Sequence, residues 1–523
     1  MIRIKEDYVI LHLTEKQAKE LNAVYVRSLG LYKVPKNLHS LRELWKKGIR
    51  HNVLLEEGKR LKKVYEKLVE KKEQIPSVLA DERFRPYQQA DINFLYDIPH
   101  VAIFNQQRTG KTPTALGLIN KHNFRKGIIV CPASLLYNWE KEVKTWTSLN
   151  TLVIKGTRSQ RLKTYQNWGD DVLIISYDTL KRDIDLKELN QVMDFLLLDE
   201  AHYICNHKSK RALACYKMGS LAKKRIALTG TPAKDKGVEI YGVLKFLYPN
   251  KFPSYWHFAE RYFNVYNNFF GAREIGKIKR KEELQEVLNT FSVQRKRSEV
   301  MKWLPPKTSE TVLLEMSKQQ REVYNQMLKD FIVQQDNEVK ADAPSVLAQL
   351  TRLRQICLSP SMLGIEAPSI KEEWLDDFIN HLDGQAVIFS SFSSQLKTLA
   401  KKYKSPIIIG ETDIKERQKI VDGFQKGKHK ILFANIIAAG TGLTLDKADT
   451  VVFLDRHFNP IANEQAEDRI VPTSEKSNQS YHVIDLVCRD SVDEKIHQLL
   501  SKKKDIIKII NNYKNLKEFL GRK

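Results

Sequence analysis

Short apolar runs bounded by turn-forming residues constrain the fold of this chain more than any other feature of its sequence. From about 79 to 235 they are VAIF, GIIVCP, DVLIIS, DFLLLDEA and RIALTGTP, and polar helical stretches separate them. From about 384 to 490 they are AVIFSS, PIIIG, KILFAN, TVVFLD and YHVIDLV. Such runs are typical of buried parallel strands. The pattern predicts two α/β blocks in tandem, and we expect a nucleotide in the cleft between them.

The remaining segments predict smaller parts. Residues 1 to about 78 begin with an alternating stretch and then become helical and basic, which predicts a small separate domain. A charge run such as EGKRLKKVYEKLVEKKEQ is usually a solvated helix face, but it could also grip nucleic acid. From about 236 to 370 the pattern predicts helical insertions, and the tail KKKDIIKIINNYKNLKEFLGRK is a candidate basic amphipathic helix.

The charge of the chain predicts a polyanionic partner. Its 523 residues include 87 Lys and Arg against 63 Asp and Glu, a net charge of +24. Nucleic acid is the partner we expect, although a lysine-rich proteome would raise the same count. Five cysteines without a CxxC pair argue against a zinc module or a disulfide framework. Because no run of about 20 uncharged apolar residues occurs, we expect a cytoplasmic protein that is neither exported nor membrane-spanning.

The stretch FNQQRTGKTPTAL at 104–116 follows one apolar run and precedes a predicted helix. Backbone N–H groups of such a turn converge on an anion. Lys111 would reach the β- and γ-phosphates of a nucleotide, and the Thr112 hydroxyl would ligate Mg²⁺. Asn105 and Arg108 stand where a small residue is usual. Since GKT recurs by chance, the motif needs a partner elsewhere in the chain.

That partner is FLLLDEAH at 195–202, an apolar strand that ends in two carboxylates. Asp199 could hold Mg²⁺ through water, and Glu200 could orient and deprotonate an attacking water. Acidic residues after a buried strand could instead begin a helix. Because the lysine loop precedes them in the chain, we predict hydrolysis of ATP with Mg²⁺ as the cofactor.

Nine motifs in order resemble those of superfamily 2 DNA helicases, and more narrowly of the Snf2 group. Within that group they are nearest to fork-remodelling annealing helicases and phage branch-migration helicases, over residues of about 80 to 500. The motifs are RPYQ (85–88), TGKT (109–112), CPASLLYNWEKE (131–142), DEAH (199–202), LTGTP (228–232), LTRLRQIC (350–357), IFSSF (388–392), AAGTGLTL (438–445) and QAEDR (465–469).

The resemblance implies an α/β fold with two tandem RecA-like parallel-sheet lobes, helical insertions and a small N-terminal α+β domain. The predicted parts are an accessory, possibly DNA-binding domain (1–78), lobe 1 with a helical insertion from about 236 (79–300), a helical insertion or linker (301–370), lobe 2 (371–495) and a basic C-terminal helix (496–523).

The resemblance also assigns residues that bind the nucleotide. Gln88 would read the adenine edge with Arg85 and Tyr87 nearby, although a plain surface turn explains RPYQ as well. Thr109 and Gly110 complete the phosphate-binding loop.

In the second lobe, Gly440 and Gly442 would let the backbone approach a phosphate. Gln465 and Arg469 would reach the γ-phosphate when the cleft closes, and Arg469 is the predicted arginine finger. The alternative for Arg469 is an ion pair with Glu467 or Asp468 on the helix surface.

Two departures from the family pattern fall at the ATP site. Arg108 replaces a small residue, and Pro472 stands where a second arginine is usual. We expect slower or more tightly DNA-gated turnover, with Arg456 or Lys476 as possible substitutes for the missing cation.

The resemblance further implies contacts to DNA, mainly through phosphates. Thr229 and Thr231 would link the ATP site to the DNA track, although a plain turn also explains their motif. Hydroxyl and amide side chains at strand ends often cap helices instead. The other positions implied to bind DNA are Ser134, Asn138, Tyr177, Thr179, Ser391 and Thr444.

Together these features predict a monomeric, ATP- and Mg²⁺-dependent DNA translocase or helicase that unwinds or remodels forks and junctions in replication, recombination or repair, in a bacterial or phage-infected cell. A duplex translocase of the remodeller or restriction-motor type is the alternative within the enzymes. A non-catalytic DNA-binding scaffold with a decayed ATP site is the alternative outside them.

Overall fold

The computed structural model describes residues 2–5, 7–74, 81–230, 237–268, 271–304, 307–337, 343–440, 443–472 and 480–502. The chain forms two compact units, Met1–Val300 (unit 1) and Met301–Lys523 (unit 2). No helix in the described parts of the chain is long and apolar enough to cross a membrane.

Unit 1 contains the first thirteen strands and the first thirteen α-helices. The strands are β1 (Ile2–Ile4), β2 (Tyr8–Leu11), β3 (Val24–Val26), β4 (Leu31–Pro35), β5 (Val101–Ile103), β6 (Gly127–Cys131), β7 (Thr151–Val153), β8 (Val172–Ser176), β9 (Met193–Leu198), β10 (Ala222–Leu228), β11 (Phe263–Asn267), β12 (Arg273–Ile278) and β13 (Ser292–Val293). The helices are α1 (Glu15–Leu21), α2 (Leu38–Lys46), α3 (Asn52–Glu73), α4 (Pro86–Tyr96), α5 (Lys111–Lys121), α6 (Leu136–Trp146), α7 (Arg158–Gln166), α8 (Tyr177–Asp183), α9 (Lys210–Gly219), α10 (Tyr241–Leu247), α11 (Tyr255–Tyr262), α12 (Lys281–Asn289) and α13 (Arg297–Val300).

Unit 2 contains the remaining elements of the described residues. Its strands are β14 (Lys307–Leu314), β15 (Ala386–Ser390), β16 (Ile407–Ile408), β17 (Ile431–Asn435), β18 (Thr450–Phe453) and β19 (Tyr481–Cys488). Its helices are α14 (Lys318–Asn337), α15 (Ala343–Leu358), α16 (Ile370–Asn380), α17 (Ser393–Lys402), α18 (Ile414–Gln425), α19 (Ile436–Ala439), α20 (Pro460–Glu467) and α21 (Val492–Ser501).

The large sheet of unit 1 is parallel throughout, in the order β13-β5-β10-β9-β6-β8-β7. Strands β5, β6 and β8 are buried along their whole length because both faces of the sheet are covered, and β9 and β10 become apolar toward their carboxyl ends. Val101 and Ile103 of β5 pack into one core cluster, while Ala102 and Phe104 pack into the other. The predicted parallel sheet of the first block is therefore confirmed.

Unit 2 contains a second parallel sheet, in the order β14-β19-β18-β15-β17-β16. Alternate residues of β15 again divide between two core clusters, with Val387 and Phe389 on one face and Ala386 and Ile388 on the other. This confirms the second predicted α/β block and, with it, the predicted fold of two parallel-sheet lobes.

The N-terminal residues form the expected small α+β domain. Strands β1, β2, β4 and β3 make an antiparallel sheet in that order. Val9, Leu11 and Val34 of this sheet pack with Leu21, Leu41, Leu44 and Leu54 from helices α1, α2 and α3.

Two segments predicted to be helical contain strands instead. Lys307–Leu314 forms β14, which pairs with β19 along its full length. Its sequence KTSETVLL is mostly exposed at the sheet edge, so it lacks the apolar pattern of a buried strand. In the insertion after residue 236, β11 and β12 form a two-stranded antiparallel ribbon. The predicted domain boundaries remain predictions.

A buried ion-pair network attaches the N-terminal domain to the insertion of unit 1. Arg261 Nε donates to Glu283 Oε1 at 2.8 Å, and both residues are at most 2% exposed. The Arg261 guanidinium also donates to Ser40 Oγ at 2.6 Å and to the Leu21 carbonyl at 3.0 Å. Asn37 Nδ2 donates to the same Glu283 oxygen at 3.0 Å. Arg261 therefore joins the insertion to two helices of the N-terminal domain that lie more than 200 residues earlier in the chain.

We predict that Glu283→Ala destabilises the docking of the N-terminal domain by about 3–5 kcal/mol, because it leaves the buried Arg261 charge without its carboxylate. Native-state hydrogen exchange of peptides from α2 should measure this loss. Glu282→Ala, which removes an exposed carboxylate on the same turn, is the control and should leave that exchange unchanged. Equal exchange in the two variants would contradict the prediction.

Candidate nucleotide-binding site

The loop between β5 and α5 spans residues 104–110 and ends in a left-handed glycine. Gly110 has φ +75° and precedes the first residue of α5. A Cβ atom at this position would lie 2.2 Å from Gln88 Nε2. Glycine is favoured here, because any side chain would adopt an unfavourable φ and displace the Gln88 amide.

Helix α4 holds the second half of this loop. The Tyr87 hydroxyl donates to the Thr109 carbonyl at 2.8 Å, and Gln88 Nε2 donates to the Gly110 carbonyl at 3.2 Å. Gln88 Oε1 accepts from the Arg85 backbone N–H at 2.8 Å, and Gln88 is 4% exposed. The RPYQ motif therefore supports the phosphate-binding loop, and the predicted recognition of adenine by Gln88 remains a prediction.

The two unusual residues of the loop have different explanations. Asn105 is fully buried; its Nδ2 donates to Asp91 Oδ2 at 2.8 Å, and its Oδ1 accepts from the Arg295 backbone N–H at 2.8 Å. It is therefore an anchor of the loop. Arg108 has φ +66°, a conformation in which glycine carries no strain.

The acidic motif is built at the end of β9. Asp199 is buried; its Oδ2 accepts from Trp139 Nε1 at 2.7 Å and its Oδ1 from the Glu200 backbone N–H at 2.9 Å. Burial raises the pKa of Asp199 to about 7; the charge of Glu200 adds to this effect, whereas the Trp139 N–H and the Lys111 ammonium oppose it. Trp139 stands in the CPASLLYNWEKE motif, and its contact with Asp199 was not predicted from the sequence.

His202 connects the acidic motif to LTGTP. Its Nδ1 lies 3.2 Å from Glu200 Oε2 and 3.4 Å from Thr229 Oγ1. Thr229 is fully buried, so it is part of this internal connection rather than of a surface. A Cβ atom at Gly230 would lie 3.4 Å from Lys111 Nζ. Three motifs of unit 1 therefore meet at one place, while Thr231 lies outside the described residues.

These groups fit a magnesium nucleotide. The backbone N–H groups at the start of α5 can bind an anion. Lys111 supplies a positive charge that acts on Asp199. Thr112 is partly exposed at the first turn of α5, and with Asp199 it offers the oxygen ligands that Mg²⁺ prefers.

In unit 2, the predicted phosphate and finger residues lie together. A Cβ atom at Gly440 would be 3.7 Å from Gln465 Cβ. Arg469 is 9% exposed; its Nε donates to the Gln465 carbonyl at 2.8 Å and its Nη1 to the Leu443 carbonyl at 3.3 Å. Gly442 lies outside the described residues. The assignment of Arg469 as a finger remains a prediction, and the guanidinium would have to leave these carbonyls to act as one.

Arg456 is a poor substitute for the cation missing at Pro472. Its guanidinium contacts Asp485 Oδ2 at 2.9 Å and Glu467 Oε1 at 2.5 Å. Both carboxylates therefore hold it in place. Lys476, the other suggested substitute, lies outside the described residues.

Two of the expected DNA-contacting residues lie in the interior of unit 1. Tyr177 is 2% exposed, and its hydroxyl donates to the Asp199 carbonyl at 2.8 Å. Thr179 is 7% exposed, and its Oγ1 is 2.9 Å from Ser176 Oγ, the N-cap of α8. This differs from the expected exposed track, because α8 begins directly after β8 and turns both side chains inward.

Three of the other expected DNA-contacting residues are more accessible, whereas the Ser391 hydroxyl oxygen is buried. Ser134 and Asn138 are partly exposed around the start of α6, and Thr444 is partly exposed in unit 2. The Ser391 backbone N–H donates to Asp455 Oδ1 at 3.1 Å, which fixes the chain at the end of β15. Contacts of these residues with DNA remain predictions.

The loop after β5 and the acidic residues after β9 define a phosphate-binding α/β site, in a chain with a second parallel-sheet unit. Family comparison agrees with this class: residues 87–362 match the SNF2-related domain, and residues 370–471 match the helicase conserved C-terminal domain. The chain therefore belongs to the SNF2-related family.

Several relatives resemble the chain along most of its length. YwqA of Bacillus subtilis, which carries the name of an ATP-dependent helicase/translocase, is 27% identical over 81% of this chain and 48% of its own. The DNA annealing helicase and endonuclease ZRANB3 of Bos taurus is 25% identical over 80% and 40%. The ISWI chromatin-remodeling complex ATPase ISW2 of Saccharomyces cerevisiae is 28% identical over 82% and 41%. The chain thus spans about half or less of the length of these curated relatives.

Among solved structures, the Sulfolobus solfataricus SWI2/SNF2 ATPase core in complex with dsDNA is similar to this chain. The match is 25% identical, covers 82% of this chain and 92% of that chain, and has a TM-score of 0.39.

We predict that Gly110→Ala weakens ATP binding by about tenfold, because the new Cβ displaces the Gln88 amide that supports the loop. Isothermal titration with ATP and Mg²⁺ should measure this change. Gly156→Ala is a matched control: Gly156 has φ +84°, and its Cβ would also lie 2.2 Å from a glutamine side chain, that of Gln160. Gly156 is exposed, so its variant should carry the backbone strain and keep its ATP affinity. Equal affinities would contradict the role given to the loop.

Proposed function

We propose that the protein is a DNA-dependent ATPase that uses hydrolysis to move along DNA. The convergence of Lys111, Asp199 and the LTGTP motif in a member of the SNF2-related family carries this proposal. Such a site is suited to phosphoryl transfer, which requires a positioned phosphate, a metal ligand and a carboxylate beside it.

In this proposal, each residue has a separate task. The loop backbone and Lys111 bind the phosphates, while Thr112 and Asp199 hold Mg²⁺, which would neutralise charge on the phosphate oxygens. Glu200 orients the attacking water and accepts its proton. Gln465 and Arg469 act on the γ-phosphate, which makes hydrolysis depend on unit 2.

The charge of the chain supports DNA as the partner. A net charge of +24 favours a polyanion, and contacts to phosphates would make binding independent of sequence. The intact Lys111, Thr112, Asp199 and Glu200 argue against a scaffold with a decayed site. We propose that the protein acts as a monomer in a bacterial or phage-infected cell.

We further propose that branched DNA, such as forks and junctions in replication, recombination or repair, is the preferred substrate. The name of the relative ZRANB3, a DNA annealing helicase, supports a function of this kind. Translocation on duplex DNA without strand separation is the alternative, and the relative ISW2 supports it by name.

We predict that the wild type hydrolyses ATP slowly alone and faster with DNA, most of all with a fork. Lys111→Ala should lower the stimulated rate by about 10² or more, because it removes a preorganised cation from the phosphates. Arg469→Ala should lower it by roughly 10³, the effect of removing an arginine finger. The measurement compares no DNA, single-stranded, duplex and forked DNA in parallel.

Lys121→Ala is the control for Lys111→Ala, since Lys121 ends the same helix and binds Asn93 at the surface. It should retain the wild-type rate. No hydrolysis on any DNA would establish the scaffold instead, and a near-normal rate for Arg469→Ala would refute the assigned finger.

The ribbon formed by β11 and β12 is the segment that we propose contacts the branch point. It pairs with no other strand among the described residues, and most of its side chains are exposed. Tyr266 is 53% exposed, and its ring lies over Gly276, where a Cβ would be 3.0 Å from Cε1. Lys277 is exposed on the returning strand, and Lys279 is exposed directly after it. An exposed aromatic ring and exposed cations on one ribbon suit an unpaired base and its phosphates.

We predict that Tyr266→Ala lowers the rate of fork unwinding by about tenfold, because it removes a stacking surface. Its ATPase rate on plain duplex should remain that of the wild type. Tyr25→Ala is the matched control, since Tyr25 is also 53% exposed on a strand of unit 1. If both variants unwind forks equally, the ribbon does not contact the branch point.

A further inference from the structure

The segment that leaves unit 1 runs along the first half of the phosphate-binding loop. We call residues 291–300 the exit segment, since unit 2 begins at Met301. The Phe104 N–H donates to the Val293 carbonyl at 2.8 Å, and the Gln106 N–H donates to the Arg295 carbonyl at 2.9 Å. The pairing of β13 with β5 therefore continues past the end of both strands and into the loop.

The Arg295 side chain binds the exit segment to helices α3 and α4. Its Nε and Nη2 both lie against Asp91 Oδ1, at 2.9 and 2.8 Å, and Nη2 also donates to the Lys72 carbonyl at 2.9 Å. The other oxygen of Asp91 accepts from Asn105, which in turn accepts from the Arg295 backbone N–H. We call this ring of Asp91, Asn105 and Arg295 the loop tie.

The loop tie is buried, and this makes it stiff. Asp91 and Asn105 are fully buried, and the Arg295 side chain is 18% exposed. Away from water, each member that loses a partner is left with an unsatisfied charge or amide. The exit segment therefore cannot move away from the loop without breaking several strong hydrogen bonds.

Helix α4 extends the tie to the second half of the loop. Asp91 lies about one turn after Gln88 on this helix. Gln88 binds the Gly110 carbonyl, so a single rigid helix contacts the start of the loop through Asn105 and the end of the loop directly. The loop, α4 and the exit segment thus form one hydrogen-bonded assembly.

We propose that Arg295 is a positioning residue that couples the phosphate-binding loop to the exit segment. Nucleotide bound at the loop stabilises the exit segment through the loop tie, and a change in the exit segment alters the loop in return, as linkage requires. This inference rests on the proposed function, since it takes the loop to bind a nucleotide. Arg295 touches no substrate and acts through Asn105 and the backbone.

Hydrogen exchange measured by mass spectrometry on the full chain tests this coupling. In the wild type, the non-hydrolysable analogue AMP-PNP with Mg²⁺ should slow exchange in peptides of residues 101–110 and in those of residues 291–300. In Arg295→Gln it should slow the loop peptides only. Without nucleotide, this variant should exchange the loop amides about tenfold faster, the effect of losing a charged hydrogen bond.

A second variant and a control keep the test decisive. Asn105→Ser cuts the tie at the loop but leaves the Arg295–Asp91 ion pair, so the variant should fold and also lose protection of the exit segment. Lys296→Ala is the control, because the Lys296 side chain is 71% exposed and it pairs only with Glu299 in the described residues. It should behave as the wild type.

The outcomes separate the tie from the proposed function. Protection of residues 291–300 by AMP-PNP in Arg295→Gln, or its loss in Lys296→Ala, would overturn the inference. Unchanged loop exchange in nucleotide-free Arg295→Gln would overturn the tie and the coupling through it, and would leave the proposed function standing. A wild type that binds no AMP-PNP would overturn the proposed function, and the coupling with it.

Discussion

The backbone between β5 and α5 must leave a fully buried strand, turn, and begin a helix within residues 104–110. Its carbonyls lie where no neighbouring strand can pair with all of them, and a buried carbonyl without a partner is costly. The Tyr87 hydroxyl and the Gln88 amide take the carbonyls at the end of the turn. Because side chains of α4 donate to these carbonyls, the turn can stay compact and leave the start of α5 open to a ligand.

The buried carboxylate of Asp199 is a second group in unit 1 that needs hydrogen-bond donors. Its two oxygens are satisfied by the Trp139 indole and the Glu200 backbone, and its carbonyl by the Tyr177 hydroxyl. Trp139 lies on α6 beside Asn138, and Tyr177 begins α8. Helices α6 and α8 carry residues that the family resemblance assigns to the DNA track. Both helices therefore contact the acidic motif directly. A shift of α6 or α8 caused by DNA would change the environment of Asp199 without any contact between DNA and nucleotide.

The sequence predicted most of the fold because buried parallel strands must be apolar on both faces, as β6, β8 and β15 are. It did not predict β14, whose residues KTSETVLL lie at an exposed edge where that demand is absent. Motif order also predicted an ATP site that uses Lys111 and Asp199, and in the structure the Lys111 charge acts on Asp199. The supporting roles of Trp139 and His202 were not predicted, since they depend on side-chain contacts between distant parts of the chain. Such contacts leave no repeating pattern in the sequence. Arg295 lies 204 residues from Asp91, and nothing in the local sequence links the two.

The insertion after β10 carries the ribbon and also contacts the N-terminal domain. Arg261 and Glu283 lie on α11 and α12, the helices on either side of the ribbon in the chain, and both are buried against the N-terminal domain. The Lys279 N–H donates to the Tyr262 carbonyl at 2.8 Å and closes the base of the ribbon one residue from Arg261. The base of the ribbon is therefore attached to the N-terminal domain through the contacts of Arg261 and Glu283. Removing residues 1–78 would leave Arg261 and Glu283 exposed at that base, so a truncated chain would lose the support of the ribbon together with any DNA contacts of the domain itself. Single substitutions on exposed positions separate these two effects, because they leave the buried ion pair in place.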